Sequence, residues 1–343
     1  MRYGGREKFI NGTSMKLRQF YVLAAFLLAP PPSWSAEPNA LAAQSEIERI
    51  ATTAAGQVGV AAWRLDGTGP RLLFNADQSF PMASTFKVAV AGALLAKIDA
   101  GKLKLDQMLT VDPAQYIESE MIATTLIHPG VSLSVHNLLE LLLTYSDNTA
   151  ADVLTAAAGG PEAVTAWVRS QDVNGLRVDR DTGGILRDFF ALPAGVFSQA
   201  LAAARKTDSK LDERGTHPNT AFDNDPRDTS TPTAMAELLT KLFAGHALSP
   251  AGTKTLVETM ERCHTGDNRL RARLPAPTTV ADKTGTIGGS VNDVGLITLP
   301  NGKGQVVIAV FIKKSDLPFA AREKVIADIA RATYDFFLFA NPQ

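Results

Sequence analysis

Segments with the makings of β-strands occur only towards the two ends of this 343-residue chain, and helix-period segments fill the stretch between them. Gln57 to Leu65 (QVGVAAWRL) and Arg71 to Asn75 flank the turn Asp66-Gly67-Thr68-Gly69, the pattern of a hairpin. Towards the other end Thr278 to Thr286 alternates, Gly288-Gly289 turns, and Val291 to Leu299 faces Gln305 to Lys313 across Pro300-Asn301-Gly302. Between them, Thr85 to Leu103 carries apolar residues at helical spacing and has Gly101 near its end. Residues 131–160 and 161–171 read as further helices, and 232–245 as another, with Pro232 in its first turn. Terminal helices are expected over 45–55 and 318–339. Strands so far apart can share a sheet only if the chain leaves it, builds a helical lobe and returns. The expected fold is therefore α/β in the α+β sense: a five-stranded antiparallel sheet from both chain ends, flanked by terminal helices, plus an all-helical lobe. The sheet lobe would take residues 37–82 and 246–343, and the helical lobe 83–245. With no repeat and no interdomain linker, 37–343 reads as one domain.

Composition narrows the function classes. The chain is 45% apolar and 20% charged with net charge −1, and its charges are mixed along its length. No basic stretch points to nucleic acid. Lys16 and Arg18 precede an apolar run, Phe20 to Ala29, which Pro30, Pro31 and Pro32 end before Ser33, Ser35 and Ala36. A basic flank, a run too short to span a bilayer and a small-residue exit describe an export signal over residues 1–36. The mature protein is then periplasmic or secreted, without stable membrane association, and is expected to be a monomer. Met15 offers an alternative start. A single cysteine, Cys263, excludes an internal disulfide, and the histidines are scattered without ligand spacing, so no metal site and no cofactor are expected.

Three short motifs carry chemistry: Ser84-Thr85-Phe86-Lys87, Ser146-Asp147-Asn148 and Lys283-Thr284-Gly285. The first alone is weak, since S-x-x-K arises by chance; all three in order are specific. Taken singly, Ser84 and Ser146-Asp147 also read as helix caps and Lys283 as a solvated strand charge. Taken together they describe an activated nucleophile. Ser84 is expected at the start of a helix, where free N–H groups favour developing negative charge. Lys87, one turn on, reaches the same face and can accept the serine proton if burial and a second cation, Lys283, depress its pKa. Ser146 can relay a proton to a leaving nitrogen, and Asn148 offers an amide to a substrate carbonyl. The backbone N–H groups of Ser84 and Thr286 would form an oxyanion hole. No G-x-S-x-G elbow is present, which argues against a Ser-His-Asp hydrolase.

These motifs, and the segments QVGVAAWRLDGTG, FNADQSFPMASTFKVAVAGALL, Tyr145-SDNTAADVL, Arg227-Asp228-Thr229-Ser230-Thr231-Pro232 and the run from His264 to Thr286, resemble the class A β-lactamases over residues 57 to 286. The resemblance implies a β-lactamase/transpeptidase-like fold and a serine hydrolase that opens β-lactams through an acyl-enzyme on Ser84. It implies that Thr265, Thr286 and Arg269 help bind the substrate carboxylate, which Lys283 could also attract, and that Thr284 and Gly285 belong to the substrate-binding set. Arg269 stands in for an arginine that many members carry after K-T-G, where this chain has Ser290-Val291-Asn292-Asp293.

One stretch departs from the family. Members free their acyl-enzyme with a glutamate in the omega loop, followed four residues later by an asparagine. Counting back from Asp228, Asn219 takes the asparagine's place and Gly215 the glutamate's. The loop also carries extra material over about 182–212. Glu213 is the first candidate for deacylation base and Asp181 the second; a third possibility is that neither serves. The alternatives to a β-lactamase are accordingly a D,D-peptidase or esterase-like enzyme, or a slowly deacylating penicillin-binding receptor.

Overall fold

The computed structural model describes residues 38–119, 121–126 and 128–340; the expected export signal lies outside them. The chain opens with α1 (Pro38–Ala51), then β1 (Gln57–Arg64) and β2 (Leu72–Phe74). A short strand β3 (Phe80–Pro81) leads through a 3-10 turn, Ala83–Phe86, into α2 (Lys87–Asp99). The paired strands β4 (Met108–Thr110) and β5 (Ser132–Ser134) bracket α3 (Ile122–Thr125), and α4 (Val135–Thr144), α5 (Asn148–Ala158) and α6 (Pro161–Ser170) follow. Next come α7 (Thr182–Phe190), α8 (Phe197–Thr207), α9 (Leu211–Arg214) and α10 (Thr220–Asp223). β6 (Thr229–Ser230) precedes α11 (Pro232–Phe243) and α12 (Pro250–Glu261). The sheet resumes with β7 (Val280–Ile287), β8 (Ser290–Thr298) and β9 (Gln305–Lys313), and α13 (Phe319–Phe339) closes the described chain.

The sheet is five-stranded, in the order β2-β1-β9-β8-β7, with every pairing antiparallel. It is covered on both faces, which is why its strands read as near-continuous apolar runs. In β9, Val307, Ala309 and Phe311 point into a core shared with α2, α4, α5 and α11. The alternate residues Val306, Ile308, Val310 and Ile312 point into a second core beneath α1 and α13. β7 is an edge strand, and that free edge faces the helical lobe at the turn before α2.

Several expected boundaries shift for local reasons. The helix expected over 85–103 begins at Lys87, because Ala83 is left-handed (φ +46°) and the next residues close a 3-10 turn; Ser84 lies in that turn and not in the α-helix. The run expected over 131–160 is two helices. Ser146 (φ +58°) breaks it, and Asp147 starts the second by accepting the Ala150 N–H at 2.7 Å. Helix α1 lies earlier than 45–55, stopped by the turn Thr52–Ala54 and a left-handed Ala55. Helix α12, unforeseen, starts at a Ser249 cap followed by Pro250. The extra material of 182–212 is helical, taken up by α7, α8 and α9.

Candidate active site

Two long-range pairings assemble the site. β3 pairs with β6, and the Met82 N–H donates to the Asp228 carbonyl at 3.0 Å, so the nucleophile turn rests on the segment before α11. From the other side β7 presses against the same turn. A Cβ on Gly285 would lie 2.6 Å from the Met82 carbonyl oxygen and 3.0 Å from the Ser84 nitrogen, so only glycine lets the strand come this close. Asn292 on β8 holds the contact: buried, it donates through Nδ2 to the carbonyls of Pro81 (2.9 Å) and Met82 (3.0 Å) and accepts the Ile312 N–H (3.2 Å).

Around this contact the side chains of the three motifs converge. Lys87 Nζ donates to the Ser146 carbonyl (2.6 Å), to Ser146 Oγ (3.2 Å) and to Asn148 Oδ1 (2.8 Å). Lys283 Nζ donates to Ser146 Oγ (2.9 Å) and to the Thr284 carbonyl (2.8 Å). One hydroxyl oxygen thus lies within hydrogen-bond reach of both lysine amines. The left-handed backbone at Ser146 aims that hydroxyl, and Asp147, which also accepts from Ser119 Oγ (2.7 Å) and the Ile122 N–H (2.9 Å), locks the turn. Ser84 is half-buried one turn before Lys87.

Both lysines are fully buried. Burial, and then the Lys283 ammonium nearby, push Lys87 well below the usual lysine range. Burial pushes Lys283 down to about 8. A buried amine of low basicity beside a serine is what nucleophile activation requires.

The other flank is cationic and hydroxyl-rich. Thr265 Oγ1 and Thr284 Oγ1 lie 2.6 Å apart. Thr286, two residues along the same face of the strand, is exposed, and Arg269 Nη2 donates to its Oγ1 at 2.6 Å. Arg269 is buried: it also donates to the carbonyls of Gly285 (3.2 Å) and Asn292 (2.7 Å) and pairs with Glu323 (3.1 Å). Cys263 is a packed residue, its Sγ 3.3 Å from Thr265 Oγ1, and burial pushes its thiol pKa up. No group of three or more His, Cys, Asp or Glu side chains suited to a metal occurs among the described residues.

The omega-loop candidates are arranged differently from the acylation groups. Arg180 Nε pairs with Asp228 at 2.6 Å, and Asp179 and Asp228 exchange backbone N–H bonds with each other's carboxylates, so the two ends of the long loop are clamped together. The Gly215 carbonyl accepts the Gly288 N–H at 2.9 Å, which fixes the stretch after α9 to the turn just beyond Thr286. Glu213 lies on α9 two residues earlier; its side chain is exposed, and its carbonyl accepts from Thr216. Asp181 caps α7 by accepting the Gly184 N–H at 2.7 Å. Asn219 caps α10 and donates to the Phe189 carbonyl at 3.3 Å. No carboxylate among the described residues hydrogen-bonds Lys87, Ser146 Oγ or Lys283.

Sequence reasoning missed Asn292 as a support, Glu323 as the counter-ion of Arg269, and Asp152. The last, one turn after Asn148 on α5, accepts the N–H groups of Thr182 (2.6 Å) and Gly183 (2.9 Å) and so fixes where the inserted segment starts. Burial and neighbouring Asp181 raise it to about 7. Only the i to i+4 spacing from Asn148 could have flagged it.

A turn-borne serine, two buried lysines and a bridging serine hydroxyl, set between a helical lobe and an edge strand, define an enzyme of the active-site serine class. Comparison with known proteins makes this specific. The model of the β-lactamase enzyme family matches residues 42–337, and the chain belongs to that family. It is 30% identical to the extended-spectrum β-lactamase PER-1 of Pseudomonas aeruginosa over 303 residues, covering 86% of this chain and 87% of that one. It is 32% identical to the β-lactamase CTX-M-25 of Escherichia coli over 294 residues, covering 85% and 88%. Among solved structures it is similar to an ancestral (GNCA) class A β-lactamase, with 35% identity, TM-score 0.70 and coverage of 85% of this chain and 99% of that one. A β-lactamase from Chitinophaga pinensis gives 29% identity, TM-score 0.69 and coverage of 86% and 98%. The expected family and fold are thereby borne out.

Proposed function

We propose that this protein hydrolyses β-lactams through an acyl-enzyme on Ser84. The observation that carries the reading is the bridge of Ser146 Oγ between the amines of Lys87 and Lys283, beside the turn that bears Ser84. In the acylation step Ser84 Oγ bonds to the lactam carbonyl carbon and passes its proton to the neutral amine of Lys87. The carbonyl oxygen takes negative charge between the N–H groups of Ser84 and Thr286. The C–N bond then breaks, and Ser146 hands a proton to the departing nitrogen, replenished through the lysines. Lys283, Thr265, Thr284, Thr286 and Arg269 attract the substrate carboxylate, and Asn148 meets the carbonyl of its side chain.

Water then cleaves the ester and returns the proton to Ser84 Oγ. Glu213 is the residue we assign to activate that water, with Asn219 beside it; the anchoring of Gly215 to the turn after Thr286 supports this by holding the segment at the cleft rim. The exposure of Glu213, and the lack of any carboxylate bonded to the lysine–serine network among the described residues, favour deacylation as the slow step. A D,D-peptidase or a penicillin-binding receptor is the reading that the same observation favours second.

Turnover of a chromogenic cephalosporin by the purified protein, with intact mass followed over time for wild type and Glu213→Gln, tests this. Steady turnover, with an adduct that decays in wild type and persists in the variant, is expected. A stoichiometric adduct on wild type without turnover would establish the receptor or peptidase reading instead. Among the described residues no helix is long and apolar enough to cross a membrane. The basic flank and short apolar run before residue 37 support export, and N-terminal sequencing of the mature protein should begin near that residue.

A further inference from the structure

We infer that the inserted helices set substrate specificity through Arg205, a positioning residue that fixes Asn148 by way of Glu118. The inference rests on the proposed role of Asn148 at the substrate's side-chain carbonyl. In the structure the Asn148 amide is held at both ends: Oδ1 accepts from Lys87 Nζ, and Nδ2 donates to the Glu118 carbonyl at 2.9 Å. Whatever places the Glu118 backbone therefore orients the amide that faces the substrate.

Two anchors from the insertion act on Glu118 and the residue before it. The first is ionic. Arg205, on α8, donates through Nη1 to Glu118 Oε2 at 2.7 Å, while its Nε and Nη2 grip Asp212 beside α9's Glu213 at 3.0 and 2.9 Å. One planar guanidinium thus joins the loop before α3, α8 and α9, a geometry that lysine's point charge cannot reproduce. The second is apolar. Ile117 is buried with Phe197, Leu201 and Leu211, all from the inserted helices, in a small cluster of its own. Ile117 is in turn stitched to α5: its N–H donates to Thr149 Oγ1 at 3.0 Å, and Thr149 Oγ1 lies 3.1 Å from the Ile117 carbonyl oxygen. The insertion is thus built onto residues 117 and 118, and through them onto Asn148 and its neighbour Thr149.

The ion pairs are partly exposed (Arg205 40%, Glu118 52%, Asp212 66%), so they add little to global stability and their loss should leave the fold intact. Their effect should fall on substrates that use Asn148. Benzylpenicillin carries an acylamino carbonyl for that amide; 6-aminopenicillanic acid has the same bicyclic lactam and carboxylate but no acylamino group. For Arg205→Ala, and for Glu118→Gln as a second variant, kcat/KM on benzylpenicillin should fall about tenfold, mainly through KM, the worth of one misplaced hydrogen bond. On 6-aminopenicillanic acid the change should stay within about twofold, and Arg205→Lys, whose point charge keeps one ion pair but cannot hold Glu118 and Asp212 together, should recover only a small part of the loss. Equal losses on both substrates, or no loss on either, would overturn the inference while wild-type turnover left the proposed function standing. Wild type inert towards both would remove that function and the inference with it.

Discussion

Residue by residue, the proposed chemistry depends on two amines whose basicity burial has lowered. Lys283 holds its proton below about pH 8 and loses it above, so the attraction proposed for the substrate carboxylate should be present below that pH and lost as the pH rises through it. In the proposed acylation step Lys87 must instead be neutral to accept the Ser84 proton, and its burial shifts it in that direction. The profile of kcat/KM for a penicillin should therefore fall above about pH 8. Lys283→Arg, whose guanidinium keeps its proton, should carry the falling limb beyond pH 10 in the same stopped-flow measurement. A limb left in place would assign it to another group. The residues of the three motifs were legible in the sequence because each is a contiguous signature. What was not legible is what aims them. The left-handed φ of Ala83 and of Ser146 falls on residue types that do not announce it, and Asn292 reaches carbonyls more than 200 positions away.

At the scale of elements, the proposed acylation turns on how closely β7 approaches the turn before α2. Gly285→Ala would put a methyl 2.6 Å from the Met82 carbonyl oxygen, so the strand must retreat and take the Thr286 N–H with it. Acylation should slow about 10²- to 10³-fold, as when one oxyanion-hole donor is lost, with little change in KM. The omega loop depends on a different clamp. Arg180 is 10% and Asp228 3% exposed, and Arg180→Ala leaves the carboxylate buried without its cation. A loss of about 3–5 kcal/mol is expected from such a site. It should be read as a lower denaturation midpoint and as faster proteolytic cleavage between residues 182 and 225. The far end of this loop was readable, since the RDTSTP segment belongs to the family's pattern. Its interior was not: α7 to α9 bury a small cluster around Ile117, and a pairing that distant leaves no periodic trace in either segment.

For the whole molecule, strands at both ends of the chain sufficed to foresee one antiparallel sheet and a helical lobe. The sheet lies between two cores, and Phe311 on β9 is fully buried in the one that faces the helical lobe. Phe311→Ala should cost about 3–5 kcal/mol in urea unfolding with the slope unchanged. A much smaller loss would mean that the lobe does not depend on the sheet. Sequence alone could not say how the cleft between these parts is finished, because the insertion that borders it departs from the family where the deacylating glutamate should stand.

The central claim is that Ser84 Oγ forms a covalent bond to the lactam carbonyl. It is tested most directly by quenching a brief mixture with a penicillin in acid and measuring intact mass and peptide maps. The account predicts a gain of one intact penicillin on the peptide holding Ser84, absent from Ser84→Ala. An adduct on a different residue, or an equal gain by Ser84→Ala, would contradict it.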